Sequence, residues 1–133
     1  MGLDQYAYIT SAPINKVVNS DGDEHSNIDE VSVKDFYWRK HAKLQTFMEK
    51  TWYCKNDEEL NCEYMELQDR DLLELADAIE DGYEQFHCEG GFFYGHQFQD
   101  ESAAEYKNDD KEFVKQAREA LAKGFRIYYS CWY

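Results

Sequence analysis

The sequence is poor in proline and has no long apolar run. Pro13 is the only proline in 133 residues, whereas aromatic residues make up 17% of the chain. Chains that stay disordered have the opposite composition. No apolar run approaches the roughly 18 residues of a transmembrane helix, and the first residues lack the basic and apolar regions of a signal peptide. We therefore expect a single domain over residues 1–133, no membrane segment and a cytoplasmic location.

Paired cysteines and compact metal-binding modules are also absent. The cysteines form no C-x-x-C pair; they are Cys54, Cys62, Cys88 and Cys131. Without a secretion signal we expect reduced thiols, and Cys54 and Cys62 are the pair best placed for a disulfide because they flank a predicted turn. His87, Cys88 and His96 are close in sequence, but their spacing matches no compact zinc module. We predict neither a metal nor a cofactor.

The common catalytic signatures are missing as well. The chain contains no G-x-S-x-G, H-E-x-x-H, dinucleotide-binding or P-loop pattern. This absence makes a non-enzymatic protein the expectation, without excluding an enzyme.

Positive charge is scarce and unevenly placed. The formal net charge is −14, from 14 basic and 28 acidic residues. Residues 34–55 hold six of the basic residues and two acids, whereas residues 57–89 hold thirteen acids and one base. Direct binding of nucleic acid is not expected, because most of the surface would repel phosphates. A protein partner with a basic surface, or an acidic surface that only keeps the protein soluble, is more plausible.

Aromatic side chains are abundant, and those of residues 36–52 belong to an amphipathic pattern. Helical spacing places five large residues on one side of this segment; they are Tyr37, His41, Leu44, Met48 and Trp52. The opposite side carries Arg39, Lys43, Thr46 and Lys50. The pattern predicts an amphipathic helix over 36–52 that forms the centre of the core, with Trp38 and Trp52 at least half buried.

The rest of the chain alternates strand-like and helix-like segments. Strands are predicted at 3–10, 62–67, 90–95 and 125–132, and helices at 36–52, 69–82 and 109–123. In the second helix the predicted inner residues are Leu72, Leu73, Leu75, Ala76 and Ile79; in the third they are Phe113, Val114, Ala117 and Leu121. The order β-α-β-α-β-α-β and the aromatic strands predict an α+β domain with a four-stranded, mixed or antiparallel sheet packed against three helices.

Residues 19–30 are polar and predict a flexible acidic loop. Asp21, Asp23 and Glu30 have some likeness to a calcium-binding loop. The glycine and the closing glutamate stand at the wrong positions for an EF-hand, so we expect a solvated loop.

Three short motifs follow one another along the chain; they are Met1-Gly2-Leu3-Asp4-Gln5-Tyr6, Tyr37-Trp38-Arg39-Lys40 and Gly91-Phe92-Phe93-Tyr94-Gly95. Together they resemble a family of small uncharacterised bacteriophage proteins. The family often continues with Tyr-Asp-Glu, where this chain has Phe98-Gln99-Asp100-Glu101, a partial match. The resemblance implies a phage or phage-related source, and hence the host cytoplasm, but no established activity.

Two functions follow from these patterns. The leading hypothesis is an interaction protein that binds or inhibits a host or phage protein, with Glu74, Asp77 and Asp81 on the outer side of the second helix as an acidic surface that imitates nucleic acid. Its partner would be a basic, nucleic-acid-binding protein. The alternative is a small enzyme with a pocket between helix 36–52 and the strand at 91–95; its residues would be Tyr37, Arg39, Lys40, His41 and Tyr94. A structural or assembly role is a third interpretation. Oligomeric state and strand order stay open.

Overall fold

The computed structural model describes residues 4–14, 16–18, 22, 24–54, 64–83 and 99–132. The strands are β1 (Asp4–Thr10), β2 (Lys16–Val18), β3 (Glu24–Ser26), β4 (Ser32–Arg39), β5 (Tyr64–Leu67) and β6 (Arg126–Trp132). The helices are the single turn α1 (Ile28–Val31) and three longer ones, α2 (Ala42–Tyr53), α3 (Asp69–Glu80) and α4 (Gln99–Ala122).

Four strands form one sheet in the order β4-β1-β6-β5, and every pairing is antiparallel. Strands β2 and β3 form a separate small hairpin. The single α+β domain, with a four-stranded antiparallel sheet and three long helices, is therefore confirmed.

The two faces of the sheet differ because side chains alternate along each strand. On the inner face, Ala7, Ile9, Met65 and Ile127 belong to one hydrophobic core with residues of α2, α3 and α4. The outer face, which points away from these helices, carries Tyr6 and Tyr8 of β1 and the residues that pair with them. The long helices therefore cover the inner face.

Helix α3 lies within the predicted 69–82 and α4 ends one residue before the predicted 123, but α4 begins at Gln99, ten residues before the predicted start at 109. The backbone N–H of Gln68 donates to the Asp71 carboxylate over 2.9 Å, so Gln68 is the residue that caps the first turn of α3. After α4, Gly124 has φ +92°, a conformation that favours glycine, and the chain turns back into β6. Leu73, predicted to be an inner residue of α3, is 45% exposed, which corrects that assignment.

The predicted helix 36–52 is only partly correct. Residues up to Arg39 belong to β4, which pairs with β1 along its whole length, and the helix starts at Ala42. Trp38 and Trp52 are both buried, at 1% and 8% exposed, as predicted. His41 is buried too, but it precedes α2 rather than lying within it.

Two side chains in this region lie on the side opposite to the prediction. Tyr37 is 50% exposed because strand alternation, not helical spacing, decides its direction. Lys43 was expected outside but is buried, and its amine donates to the carbonyl of Gly82 over 3.4 Å. Lysine can bury its carbon chain while its amine finds an oxygen. Leu44, Phe47 and Met48 are buried as expected.

Only some of the other predicted segments and cysteines lie among the described residues. Within the predicted loop 19–30, the described residues include β3 and α1, so that part has regular structure. The strand predicted near 91–95 lies outside the described residues. Cys54, which is exposed, and Cys131, which is buried, are both thiols, and Cys62 and Cys88 fall outside. Among the described residues no helix is long and apolar enough to cross a membrane.

Candidate functional site

A buried carboxylate, Asp110, joins three parts of the inner core. It accepts hydrogen bonds from the Trp38 indole N–H over 2.8 Å, the Tyr83 hydroxyl over 2.7 Å and His41 Nε2 over 2.8 Å. Asp110 is 1% exposed and His41 is fully buried. A buried carboxylate is stable only when it is hydrogen-bonded in this way. Asp110 of α4 therefore ties the end of β4, the start of α2 and the end of α3 together.

The Tyr83 hydroxyl is held as a permanent donor in this cluster. Burial raises its pKa well above the usual value near 10, and the charge of Asp110 and the hydrogen bond to it act in the same direction. Tyr83 also has φ +58°, a left-handed conformation that is strained for a tyrosine. The hydrogen bond to Asp110 helps to keep the chain in this conformation.

A second buried network fixes the turn between β4 and α2. The Gln5 amide accepts from the His41 N–H over 2.8 Å and donates to the His41 carbonyl over 3.1 Å and to the Tyr129 hydroxyl over 3.0 Å. Tyr129 donates onward to Gln45 of α2. Lys40, in the turn itself, has φ +55°. Gln5 therefore holds a strained turn from the neighbouring strand.

His41 is placed as a structural residue rather than as a base that meets a substrate. Its ring stacks on Tyr106 at 5.2 Å between centroids and meets Tyr83 edge to face at 5.3 Å. Its Nδ1 atom makes no hydrogen bond within the described residues. A general base must reach the proton that it removes, and a fully buried ring beneath two aromatic rings has no such access.

The residues of the alternative pocket point in different directions. Tyr37 and Arg39 lie on the outer face of the sheet, where both contact Asp4, whereas His41 lies in the core on the other side. Lys40 is exposed in the turn between them, and Tyr94 lies outside the described residues. The four described residues do not converge on one cleft.

The acidic surface predicted on the second helix is present on α3. Glu74, Asp77 and Asp81 are all exposed. Two other acids of α3 are paired with bases of α4, Asp69 with Arg118 at 2.9 Å and Glu80 with Lys111 at 3.3 Å. Within the described part of the chain, no ion pair is formed by the three outer carboxylates. We call Glu74, Asp77 and Asp81, with the exposed Leu73 beside them, the acidic face.

A groove between α2 and α3 adjoins the acidic face. It has a volume of about 340 Å³, and it is lined by Phe47, Lys50, Thr51, Cys54, Arg70, Asp71 and Glu74. Glu74 belongs both to the groove and to the acidic face. A partner could therefore meet charged and apolar groups in one continuous surface.

Sequence reasoning missed the residues of the buried networks. Asp110 precedes the inner residues Phe113, Val114 and Ala117 at helical spacing, so the sequence pattern alone places it on the inner side of α4. Nothing comparable marks Gln5 or Tyr83, whose partners are distant in sequence. Among the described residues, no three His, Cys, Asp or Glu side chains are grouped as a metal site requires; His87, Cys88 and His96 lie outside these residues.

Comparison with protein-family models, curated proteins and solved structures finds no match for this chain.

Proposed function

We propose that this protein is an interaction protein that binds a positively charged partner protein through the acidic face of α3. The observation that carries the proposal is that Glu74, Asp77 and Asp81 are exposed and have no ion pair within the described residues. Like charges at three- and four-residue spacing on a helix cost about 0.2–0.5 kcal/mol per pair. A cationic partner would remove that cost on binding.

Two bases of α4 are paired with other acids of α3, whereas Lys50 and Arg70 line the groove beside Glu74. Arg118 and Lys111 of α4 pair with Asp69 and Glu80, which lie toward α4 and not on the acidic face. The net charge of −14 adds a long-range attraction for a basic partner. Leu73, 45% exposed beside these acids, offers a partner an apolar contact on the same surface.

A nucleic-acid-binding protein is the partner class that fits this surface. The helical rise places the carboxylates at steps of about 4.5 and 6 Å along the axis, a spaced column of negative charge that resembles a short stretch of phosphates. Such a surface would occupy the partner's basic groove and exclude nucleic acid from it. The resemblance to phage proteins suggests a host or phage protein as the target.

The test is a capture experiment with charge-matched variants. The tagged protein, the variant Glu74→Gln/Asp77→Asn/Asp81→Asn and the control Glu105→Gln/Asp109→Asn/Glu119→Gln are used to capture proteins from lysates of infected bacteria at physiological salt. The control removes the same charge from exposed positions of α4. We expect a nucleic-acid-binding protein that the wild type and the control retain, and that the acidic-face variant retains at least about tenfold less tightly.

The captured partner then allows two sharper measurements. Binding should slow the alkylation of Cys54, which is exposed in the adjoining groove, as followed by mass spectrometry. Single-stranded or duplex nucleic acid should compete with the protein for the partner. Equal retention by the two triple variants, or unchanged alkylation of Cys54, would contradict the acidic face as the binding surface.

A further inference from the structure

Strand β4 lies at an edge of the sheet. It pairs with β1 on one side, and within the described residues no strand lies on its other side. An edge strand presents unpaired backbone N–H and C=O groups that can pair with another chain. Val33 is 59% exposed and Tyr37 is 50% exposed. This edge is therefore accessible from solvent.

The hydrogen bonds of Arg39 identify which backbone groups face the free edge. Its N–H donates to the Tyr106 hydroxyl over 3.2 Å, and the same hydroxyl donates to its carbonyl over 3.1 Å, so both groups point away from β1. In an antiparallel pair, residues bond alternately to the partner strand and away from it. The register is regular from Arg39 to Lys34, so the backbone groups of Asp35 and Tyr37 also face the free edge. Tyr106 covers the Arg39 end; in the described part of the chain, nothing comparable covers Asp35 or Tyr37.

A cavity lies beside this edge, on the side of the sheet that carries the helices. It has a volume of about 240 Å³, and it is lined by Phe36, Tyr37 and Trp38 of β4 and by Asp109 and Glu112 of α4. The rings of Phe36 and Trp38 form its apolar side, and the two carboxylates, both on exposed residues, form its acidic side. The cavity therefore offers aromatic and negatively charged groups next to each other.

The nearest described bases have other partners. The Lys34 amine donates to the amide oxygen of Gln116 over 2.5 Å, and Arg39 pairs with Asp4 at 3.7 Å. Glu112 accepts a hydrogen bond from the neutral amide of Gln116 over 2.7 Å. The negative charge of the cavity is therefore not balanced by these bases.

Charge and shape together select the occupant. A lysine or arginine can lay its carbon chain on aromatic rings while its cationic end pairs with carboxylates. A second copy would bring the same two acids and a net charge of −14, and nucleic acid is negative as well. The cavity therefore fits a basic side chain of a different protein.

We propose that the free edge of β4 is a second binding surface, which takes an extended segment of a partner protein that carries a lysine or arginine. The segment adds to the sheet as a further strand, through hydrogen bonds with the backbone of Asp35 and Tyr37. Its residue opposite Phe36 points to the same side of the sheet as Phe36, because side chains alternate in register across paired strands. A basic residue at that position enters the cavity and meets Asp109 and Glu112. This surface shares no residue with the acidic face of α3, and it does not depend on the proposed function.

The backbone hydrogen bonds are tested by an NMR titration of the isotope-labelled full chain with a short peptide of alternating threonine and valine that has one central lysine. We expect the largest amide shifts at Asp35 and Tyr37. Methylation of the backbone nitrogens of the two residues that flank the lysine removes the donors to Asp35 and Tyr37, and it should weaken binding at least about fivefold. Methylation of the lysine nitrogen is the matched control; its N–H faces away from β4, so binding should be retained.

The charge in the cavity is tested separately. Replacing the peptide lysine by norleucine, which keeps the carbon chain without the charge, should weaken binding about two- to tenfold, the range of two partly exposed ion pairs. The variant Asp109→Asn/Glu112→Gln should weaken binding of the lysine peptide by a similar factor. The control Glu105→Gln/Glu119→Gln removes the same charge from exposed positions of α4 outside the cavity, and it should bind within about twofold of wild type.

The remaining outcomes separate this surface from the acidic face and from other occupants. The acidic-face variant should bind the lysine peptide as wild type does, whether or not it loses the captured partner. Equal binding of the two methylated peptides, or equal loss in the two α4 charge variants, would overturn the proposal. So would a dimer in sedimentation that the peptide dissociates, because a second copy would then occupy the edge.

Discussion

A tyrosine on the inner face of the sheet and a tyrosine on the outer face differ in burial and in hydrogen bonding. Tyr129 on the inner face is fully buried, and its hydroxyl is hydrogen-bonded to Gln5 and Gln45. Tyr37 on the outer face is half exposed, and its hydroxyl donates to Asp4. Loss of a buried hydroxyl such as that of Tyr129 leaves its hydrogen-bond partners unsatisfied, whereas water can take the place of an exposed hydroxyl such as that of Tyr37. The polar groups of the inner face therefore contribute more to stability than the exposed hydroxyl of Tyr37.

The largest effect should come from the carboxylate at the centre of the inner face. Asp110→Ala leaves three buried groups without their acceptor and should lower the free energy of unfolding by about 3–5 kcal/mol, as breaking a buried charged network does. The neighbour Asp109 is exposed, and Asp109→Ala should change stability by less than about 0.5 kcal/mol. Urea denaturation measures both. Similar losses in the two variants would mean that Asp110 is not a buried hub.

Two adjacent leucines of α3 offer a sharper contrast with no charge involved. Leu72 is fully buried and Leu73 is 45% exposed. Leu72→Ala should cost about 2–5 kcal/mol, and Leu44→Ala on α2 should fall in the same range, because each leaves a cavity. Leu73→Ala should cost less than about 1 kcal/mol. If Leu73→Ala were the more destabilising change in denaturant melts, α3 would pack through a different face.

The two tyrosines can be compared by removing only their hydroxyls. Tyr129→Phe should cost about 1–3 kcal/mol, because the Gln5 and Gln45 amides then lack a buried partner. Tyr37→Phe should stay within about 0.5 kcal/mol of wild type. Thermal and urea unfolding both report this difference. Equal costs would show that the outer face contributes to stability as much as the inner one.

Alkaline pH should lower the free energy of unfolding through Tyr83, which is buried in the same core. The pKa of Tyr83 is raised above 10 in the folded protein, so the folded state keeps a proton that the unfolded state loses. The stabilisation is complete below pH 10 and is lost as pH rises toward the folded-state pKa, at about 1.4 kcal/mol per pH unit. Tyr83→Phe removes this contribution, so its stability should fall less steeply than that of wild type above pH 10. Parallel pH profiles would rule out the assignment to Tyr83.

The success of the sequence predictions depended on how local each signal was. The inner positions Leu72, Leu75 and Phe113 were confirmed, because helical spacing within a single element identifies them. The segment around Tyr37 was assigned wrongly, because its apolar spacing crosses the boundary between β4 and α2. In a helix Tyr37 and His41 would share a face, whereas the strand turns Tyr37 to the opposite side of the sheet.

The candidate site residues also differ in whether a local pattern identifies them. The exposure of Glu74, Asp77 and Asp81 was predicted from the pattern of α3 alone, and whether they bind a partner stays a prediction. The Asp110 cluster joins residues that are tens of positions apart, and its geometry depends on how α4 packs against the end of β4 and the start of α2.

The amino-acid sequence alone was sufficient to determine the α+β class, most inner positions of the long helices, with Leu73 and Lys43 as exceptions, and the acidic net charge, because each follows from composition or from a short-range period. Tertiary structure decided where β4 ends, which tyrosines are buried, and that Asp110 meets Trp38, His41 and Tyr83. The physical reason is that these outcomes depend on hydrogen bonds and packing between strands and helices that are distant in the chain, and no local pattern specifies such partners.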